Sequence, residues 1–198
     1  EAALKQIDKA TNGVDALTGE ATITDHRKDA ADAPVSGKVS ILTNGRLRFE
    51  MAGDTPKSTL CVPGKMYLYE PGKSTVTEYS LEDSPGKLAP YALVGFSPLG
   101  SDMKKRYLVT LVEDTKLDDR SVLLLELTPL ADQLRGSISK IQLWIDQANW
   151  FPVQQRIHHS AADTHLTIRY SSLSRNDNLD DSIFDAKWPK NTIKQKGE

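Results

Sequence analysis

The sequence predicts a mainly β fold, a large antiparallel sheet that must curl or close, running through the whole chain, 1–198, as a single domain. Three observations predict it. Ten or eleven short apolar-rich runs follow one another, joined by brief turn-forming segments. Helical spacing occurs in only two places. No internal repeat, low-complexity tract or linker divides the chain, and a sheet of so many strands does not stay flat.

Composition narrows the function classes. Lys and Arg total 25 against 27 Asp and Glu, a net charge of −2, which excludes a broadly basic nucleic-acid binder. The longest apolar runs, 91–96 and 122–125, are far too short to span a bilayer. With one cysteine, Cys61, there is no intramolecular disulfide and no cysteine-based zinc site.

Taken in order, Leu4, Ile7 and Ala10 or Thr11 recur at helical spacing over 2–12, and Asn12-Gly13 gives a stop signal. Strands are expected at 18–28, 37–43, 47–52, 57–62, 65–70 and 74–80. Asn44-Gly45, Pro63-Gly64 and Pro71-Gly72 supply turn chemistry between them. A second helix is expected near 88–96, with Pro90 in its first turn, where a missing N–H costs nothing. Strands resume at 105–113, 120–128, 137–146, 152–159 and 164–172.

The Asn44-Gly45 hairpin permits a register argument. A loop over 44–46 pairs Thr43 with Leu47, Ile41 with Phe49 and Val39 with Met51. That register collects Val39, Ile41, Leu47, Phe49 and Met51 on one face and leaves Lys38, Ser40, Arg48 and Glu50 on the other, and such segregation fixes register. The apolar face is expected to meet a core, a covering helix or a ligand.

Catalytic chemistry is absent from the pattern. There is no phosphate loop, nucleophile elbow or paired-histidine helix motif. His158-His159 and His165 flank an expected hairpin turn, so a pair is placed to meet across it, but neighbouring strand residues face opposite sides and a solvated hairpin tip is the ordinary reading. Asp118-Asp119, Asp177 and Asp180-Asp181 read as solvated turns, and Lys104-Lys105-Arg106 as the exposed start of a strand. Cys61 reads as an inert structural thiol. No catalytic, metal or cofactor site is expected.

Several segments carry a resemblance in their order and spacing. They are Ala3 to Lys9, 37–51, 60–71 with Gly64-Lys65 and Tyr69-Glu70-Pro71, and Ala89 to Val94. Further along come Leu125 to Pro129, Ile141 to Asp146, Phe151-Pro152-Val153 and Asp181 to Phe184. Together they resemble the LolA-type periplasmic carriers of outer-membrane lipoproteins and related lipoprotein-sorting proteins.

The resemblance implies an incomplete, strongly curved antiparallel β-barrel with short helices over its mouth and acyl chains held between. It implies a soluble periplasmic monomer with its signal segment removed, acting as a transport chaperone. Its partners would be lipoprotein acyl chains or other lipids, an inner-membrane release complex and an outer-membrane acceptor. The implied cavity residues are Val39, Ile41, Leu47, Phe49 and Met51, with Tyr91, Leu93 and Val94 from the lid, although the same side chains would serve equally as core. A lipid- or lipoprotein-sensing module and an outer-membrane acceptor are the alternatives on this fold. One departure stands out: the family's Arg-Pro pair, whose arginine holds the lid closed, falls on Thr43-Asn44, and Arg46 is expected within the loop.

Overall fold

The computed structural model describes residues 1–28, 30–42, 44–80, 100–160, 163–175 and 178–197. Helix α1, Ala2–Thr11, turns Leu4, Ile7 and Thr11 inward at spacings of three and four. The Thr11 hydroxyl donates back to the Ile7 carbonyl at 2.9 Å. The helix stops at Asn12, and Gly13 follows at φ +72°.

Thirteen strands then form one sheet: β1 Ala16–Arg27, β2 Ala30–Ala31, β3 Val35–Leu42, β4 Arg46–Met51, β5 Lys57–Val62, β6 Lys65–Glu70 and β7 Thr75–Ser80. After α2, Gly100–Arg106, come β8 Tyr107–Leu117 and β9 Arg120–Pro129, then α3, Asp132–Arg135. The remaining strands are β10 Ile138–Asp146, β11 Pro152–His159, β12 His165–Arg175 and β13 Ile193–Lys196. The order is β13-β7-β6-β5-β4-β3-β1-β12-β11-β10-β9-β8, with β2 on β1. Sequential strands meander as expected, but β1 joins the two halves by pairing with both β3 and β12, setting Ala21 opposite Tyr170. Register shifts at Thr18/Glu20, Leu111/Glu113 and Trp144/Ile145 mark bulges, which bend and twist strands and so help the sheet curl.

The inner face holds the main core. Leu4 and Ile7 of α1 pack with Leu17, Ile41, Phe49, Leu125, Ile141, Leu143, Ile157 and Ile168, contributed by seven of the strands. The outer face carries two smaller clusters. In one, Leu42 and Leu60 meet Phe184 of a 3-10 turn, Asp181–Phe184, with Ile183 and Trp188 alongside. In the other, Val122, Leu124, Trp144 and Val153 pack together.

The structure corrects several expectations. The β3–β4 register is Ile41 to Leu47, Val39 to Phe49 and Gly37 to Met51, so the last pair is Leu42 to Arg46 and Arg46 belongs to β4, not to the loop over 44–46. Gly45 decides this, standing at φ +90° with its N–H donating to the Leu42 carbonyl at 3.1 Å. A three-residue loop ends in a left-handed residue, and the expected loop would have forced Arg46 into that conformation. The slip changes partners by two residues, so each side chain keeps its face. Lys104, Lys105 and Arg106 form the last turn of α2 and not a strand start, a position where positive charge meets the helix's carbonyl end. Helix α3 and strands β2 and β13 stand where no element is expected, and Leu179, Ile183, Phe184 and Trp188 pack on the outer face around the expected turn at 180–181. The expected helix near 88–96 lies outside the described residues.

Candidate functional site

The inner face is the candidate site. Val39, Ile41, Leu47 and Phe49 are buried there in one cluster with α1, and Met51 packs against it. The alternation of β4 places Arg46, Arg48 and Glu50 on the other side. Four of the eight sequence-derived cavity residues are thereby gathered within one apolar layer, with Met51 at its margin. Tyr91, Leu93 and Val94 lie outside the described residues, as does Thr43. Arg46 is corrected: it opens β4 opposite Leu42, on the outer face, with its guanidinium 3.7 Å from the Asp181 carboxylate.

The inner layer is not uniformly apolar. Across β4, β5, β6 and β7, Phe49 is followed by Thr59, Leu68 and Thr77. Thr77 accepts a hydrogen bond from the Gln195 amide at 2.8 Å. Thr59 is fully buried, and its hydroxyl has no hydrogen-bond partner among the described residues. Farther round the sheet, buried Gln155 donates to the Tyr170 hydroxyl at 2.8 Å, and burial pushes the Tyr170 phenol upward. The period-two pattern of 57–62 hides Thr59, because Ser58 and Thr59 are adjacent polar residues that are both buried on opposite faces. Cys61 packs beside Leu47 at the edge of the same cluster, and burial pushes its thiol up to about 12, so it stays protonated.

The remaining singled-out groups lie on other surfaces. His158 and His165 do meet across the β11–β12 pair, with centroids 5.3 Å apart, and His26 of β1 extends the row. Among the described residues no group of three or more His, Cys, Asp or Glu side chains is arranged to hold a metal ion. Asp118 occupies the β8–β9 turn and pairs with Arg169, and Asp180 caps the 3-10 turn by accepting from the Ser182 N–H at 2.9 Å. Asp177 lies outside the described residues.

Comparison with solved structures decides the architecture. A putative outer membrane lipoprotein-sorting protein domain from Vibrio parahaemolyticus superposes with TM-score 0.52 at 16% identity, over 92% of this chain and 94% of that one. The fold is LolA-like. A conserved protein from Thermus thermophilus matches this LolA-like fold at TM-score 0.61 and 10% identity, over 99% and 98% of the two chains. The lipoprotein LppX of Mycobacterium tuberculosis matches at TM-score 0.52 and 12% identity, over 90% and 97%. No family model matches the sequence, and no curated protein matches it either. The LolA-like sheet is unclosed, as an incomplete barrel requires, running from edge strand β13 to edge strand β8 among the described residues. No helix among the described residues is long and apolar enough to cross a membrane.

Proposed function

We propose that the protein is a soluble, non-enzymatic carrier of the cell envelope that shields acyl chains of lipoproteins or other lipids on the inner face of its sheet. The observation that carries the reading is the unclosed LolA-like sheet with its apolar inner layer beneath α1. Val39, Ile41, Leu47, Phe49 and Met51 would face the chain, with Tyr91, Leu93 and Val94 closing over it. Each buried methylene contributes about 0.8 kcal/mol, so a sixteen-carbon chain gains about 12 kcal/mol gross, and release then depends on opening the layer. In this reading residues 1–198 act as one domain, as a periplasmic monomer that takes cargo from an inner-membrane release complex and passes it to an outer-membrane acceptor.

The test is native mass spectrometry of protein purified from an envelope fraction, followed by titration with a fluorescent fatty acid. A co-purifying lipid and saturable dye binding are expected. Protein that carries no lipid and binds no dye would leave the inner face as plain core and end the carrier reading.

A further inference from the structure

A concavity lies on the outer face, away from the proposed acyl site. It is a cleft of about 350 Å³ whose lining includes Tyr67, Val76, Glu78, Trp188, Lys194 and Lys196. That volume is at the lower end of small-molecule sites, roughly 300–1,000 Å³. The parallel pairing of β13 with β7 creates it: Lys194 aligns with Val76 and Lys196 with Glu78, so both lysines stand on the face that carries Tyr67.

The opposite wall is held in place. The Trp188 ring lies 6.1 Å from Tyr67 and 5.2 Å from Tyr69, centroid to centroid, and the Arg48 guanidinium sits 6.0 Å from its centre. Arg48 in turn donates to the Ile183 carbonyl at 2.8 Å, tying the segment before Trp188 to the sheet. A wall held by packing before a ligand arrives loses little entropy on binding. The charge of the cleft is one-sided. Among the described residues that line it, the one carboxylate is Glu78, paired with Lys65 at 2.7 Å and also facing Lys196 across the β7–β13 pair, so with exposed Lys194 the cations outnumber it. The aromatic wall and the Val76 floor suit a flat apolar body, and Lys194 and Lys196 facing them favour an anionic group on it and repel a cation.

We infer that the cleft between Trp188 and β13 binds a small anionic ligand with an apolar or aromatic body, a phosphate monoester or carboxylate. The shared chemistry could reach the cleft as a soluble molecule or as the head group of an anionic lipid.

The experiment titrates the full chain with phenyl phosphate, reading tryptophan fluorescence and calorimetric heat. Benzyltrimethylammonium serves as the cationic counterpart, and phosphatidylglycerol and phosphatidylcholine vesicles form a second arm. Saturable binding of phenyl phosphate is expected, at least tenfold tighter than that of the cation. The charge-neutralising double variant Lys194→Gln/Lys196→Gln should weaken it at least tenfold while keeping the parent's thermal midpoint and fatty-acid dye binding. Phosphatidylglycerol vesicles that compete with phenyl phosphate would uphold the site with a lipid head group as its ligand. Phenyl phosphate binding without vesicle binding would uphold it for a soluble ligand. The inference is overturned by no binding in either arm, by equal binding of the cation, or by binding that survives the double neutralisation. Dye binding reads the inner face separately, so failure there and failure here are distinguishable.

Discussion

The imidazoles of His26 and His165 lie stacked, their centroids 4.4 Å apart and their planes 11° from parallel. His158 stands on the other side of His165, and its Nε2 is 3.0 Å from the Gln142 side-chain oxygen. Burial, with Lys140, His165 and Arg156 nearby, pushes His158 down to about 4, against a partial opposing pull from Glu126. His165 is also lowered, by burial and then by Arg156 and His26, with Asp163 and Asp25 opposing. His158 and His165 thus hold fewer protons in the folded protein than in the unfolded chain as the pH falls from 6.5 toward about 4. Their contribution to stability is complete above pH 6.5 and is lost as the pH falls toward about 4. Urea unfolding at pH 7.5 and pH 5 should show the parent losing stability on acidification, and His158→Gln should lose less. An identical pH slope in parent and variant would remove the row from the explanation.

Gly37 is required by space and not by backbone angle. A Cβ there would stand 2.1 Å from the Glu50 carbonyl oxygen and 2.8 Å from the Met51 Cα, atoms of the facing strand that cannot turn aside. Gly37→Ala should therefore part β3 from β4 and cost about 1–3 kcal/mol, the ordinary range for overpacking. Gly45→Ala meets no neighbour but must hold φ +90°, so its cost, about 1–2 kcal/mol, is one of strain alone. Denaturant midpoints measure both. Hydrogen exchange separates them, with Gly37→Ala exposing amides along the strand pair and Gly45→Ala only those at the turn.

Thr59 offers a test of the inner face that spares the packing. Its hydroxyl is buried without a partner among the described residues, a state that costs about 1–3 kcal/mol relative to a satisfied or absent group. Thr59→Val keeps the shape and should raise the thermal midpoint of the lipid-free protein. If the hydroxyl serves a polar group of a bound lipid, the same variant should bind the fluorescent fatty acid more weakly. A variant that is destabilised would show that Thr59 has a hydrogen-bond partner after all.

Phe49→Asn should cost at least the roughly 3–5 kcal/mol of a core Phe→Ala change, because Phe49 is buried within the main cluster and not at its rim. In the carrier reading, bound fatty acid restores part of that loss less effectively than in the parent, which thermal shift with and without ligand will show. Thr43→Arg, which places here the arginine of the LolA-type carriers that the sequence resembles, should slow dye release if that arginine favours a closed state. A release rate equal to the parent's would mean that no such latch operates here.

Removing the Arg48 anchor should loosen the outer segment. Arg48 donates to the Ile183 carbonyl at 2.8 Å and packs against Trp188, so Arg48→Ala should cost about 1.5–3 kcal/mol. Limited proteolysis should then cut between 178 and 190 sooner than in the parent, while β1 to β12 remain resistant. Unchanged cleavage would place the anchor in the apolar contact of Phe184 with Leu42 and Leu60 instead.

Much of the fold was legible because its determinants are local. Alternating β-formers and the punctuation of Asn44-Gly45, Pro63-Gly64 and Pro71-Gly72 set the meander, and the spacing of Leu4 and Ile7 set α1. The face of Val39, Ile41, Leu47 and Phe49 was legible for the same reason, since parity along a strand survives even a wrong loop. The register was not, because it turned on which residue could stand at φ +90°, and only glycine takes that angle freely. The basic helix turn at 104–106 has no signature in the sequence, because three cations carry no apolar period.

What the sequence alone determined was therefore which residues form strands and which of their faces are apolar. The tertiary structure decided what meets what across long separations. Pairing of β1 with β12, the β13 edge beside β7, the histidine row over β1, β12 and β11, and the Trp188 cleft all join segments distant in the chain. Nothing in a local pattern encodes such partners, because hydrophobic burial is non-directional and any apolar face satisfies another. Partner choice comes only when the whole sheet curls around one core.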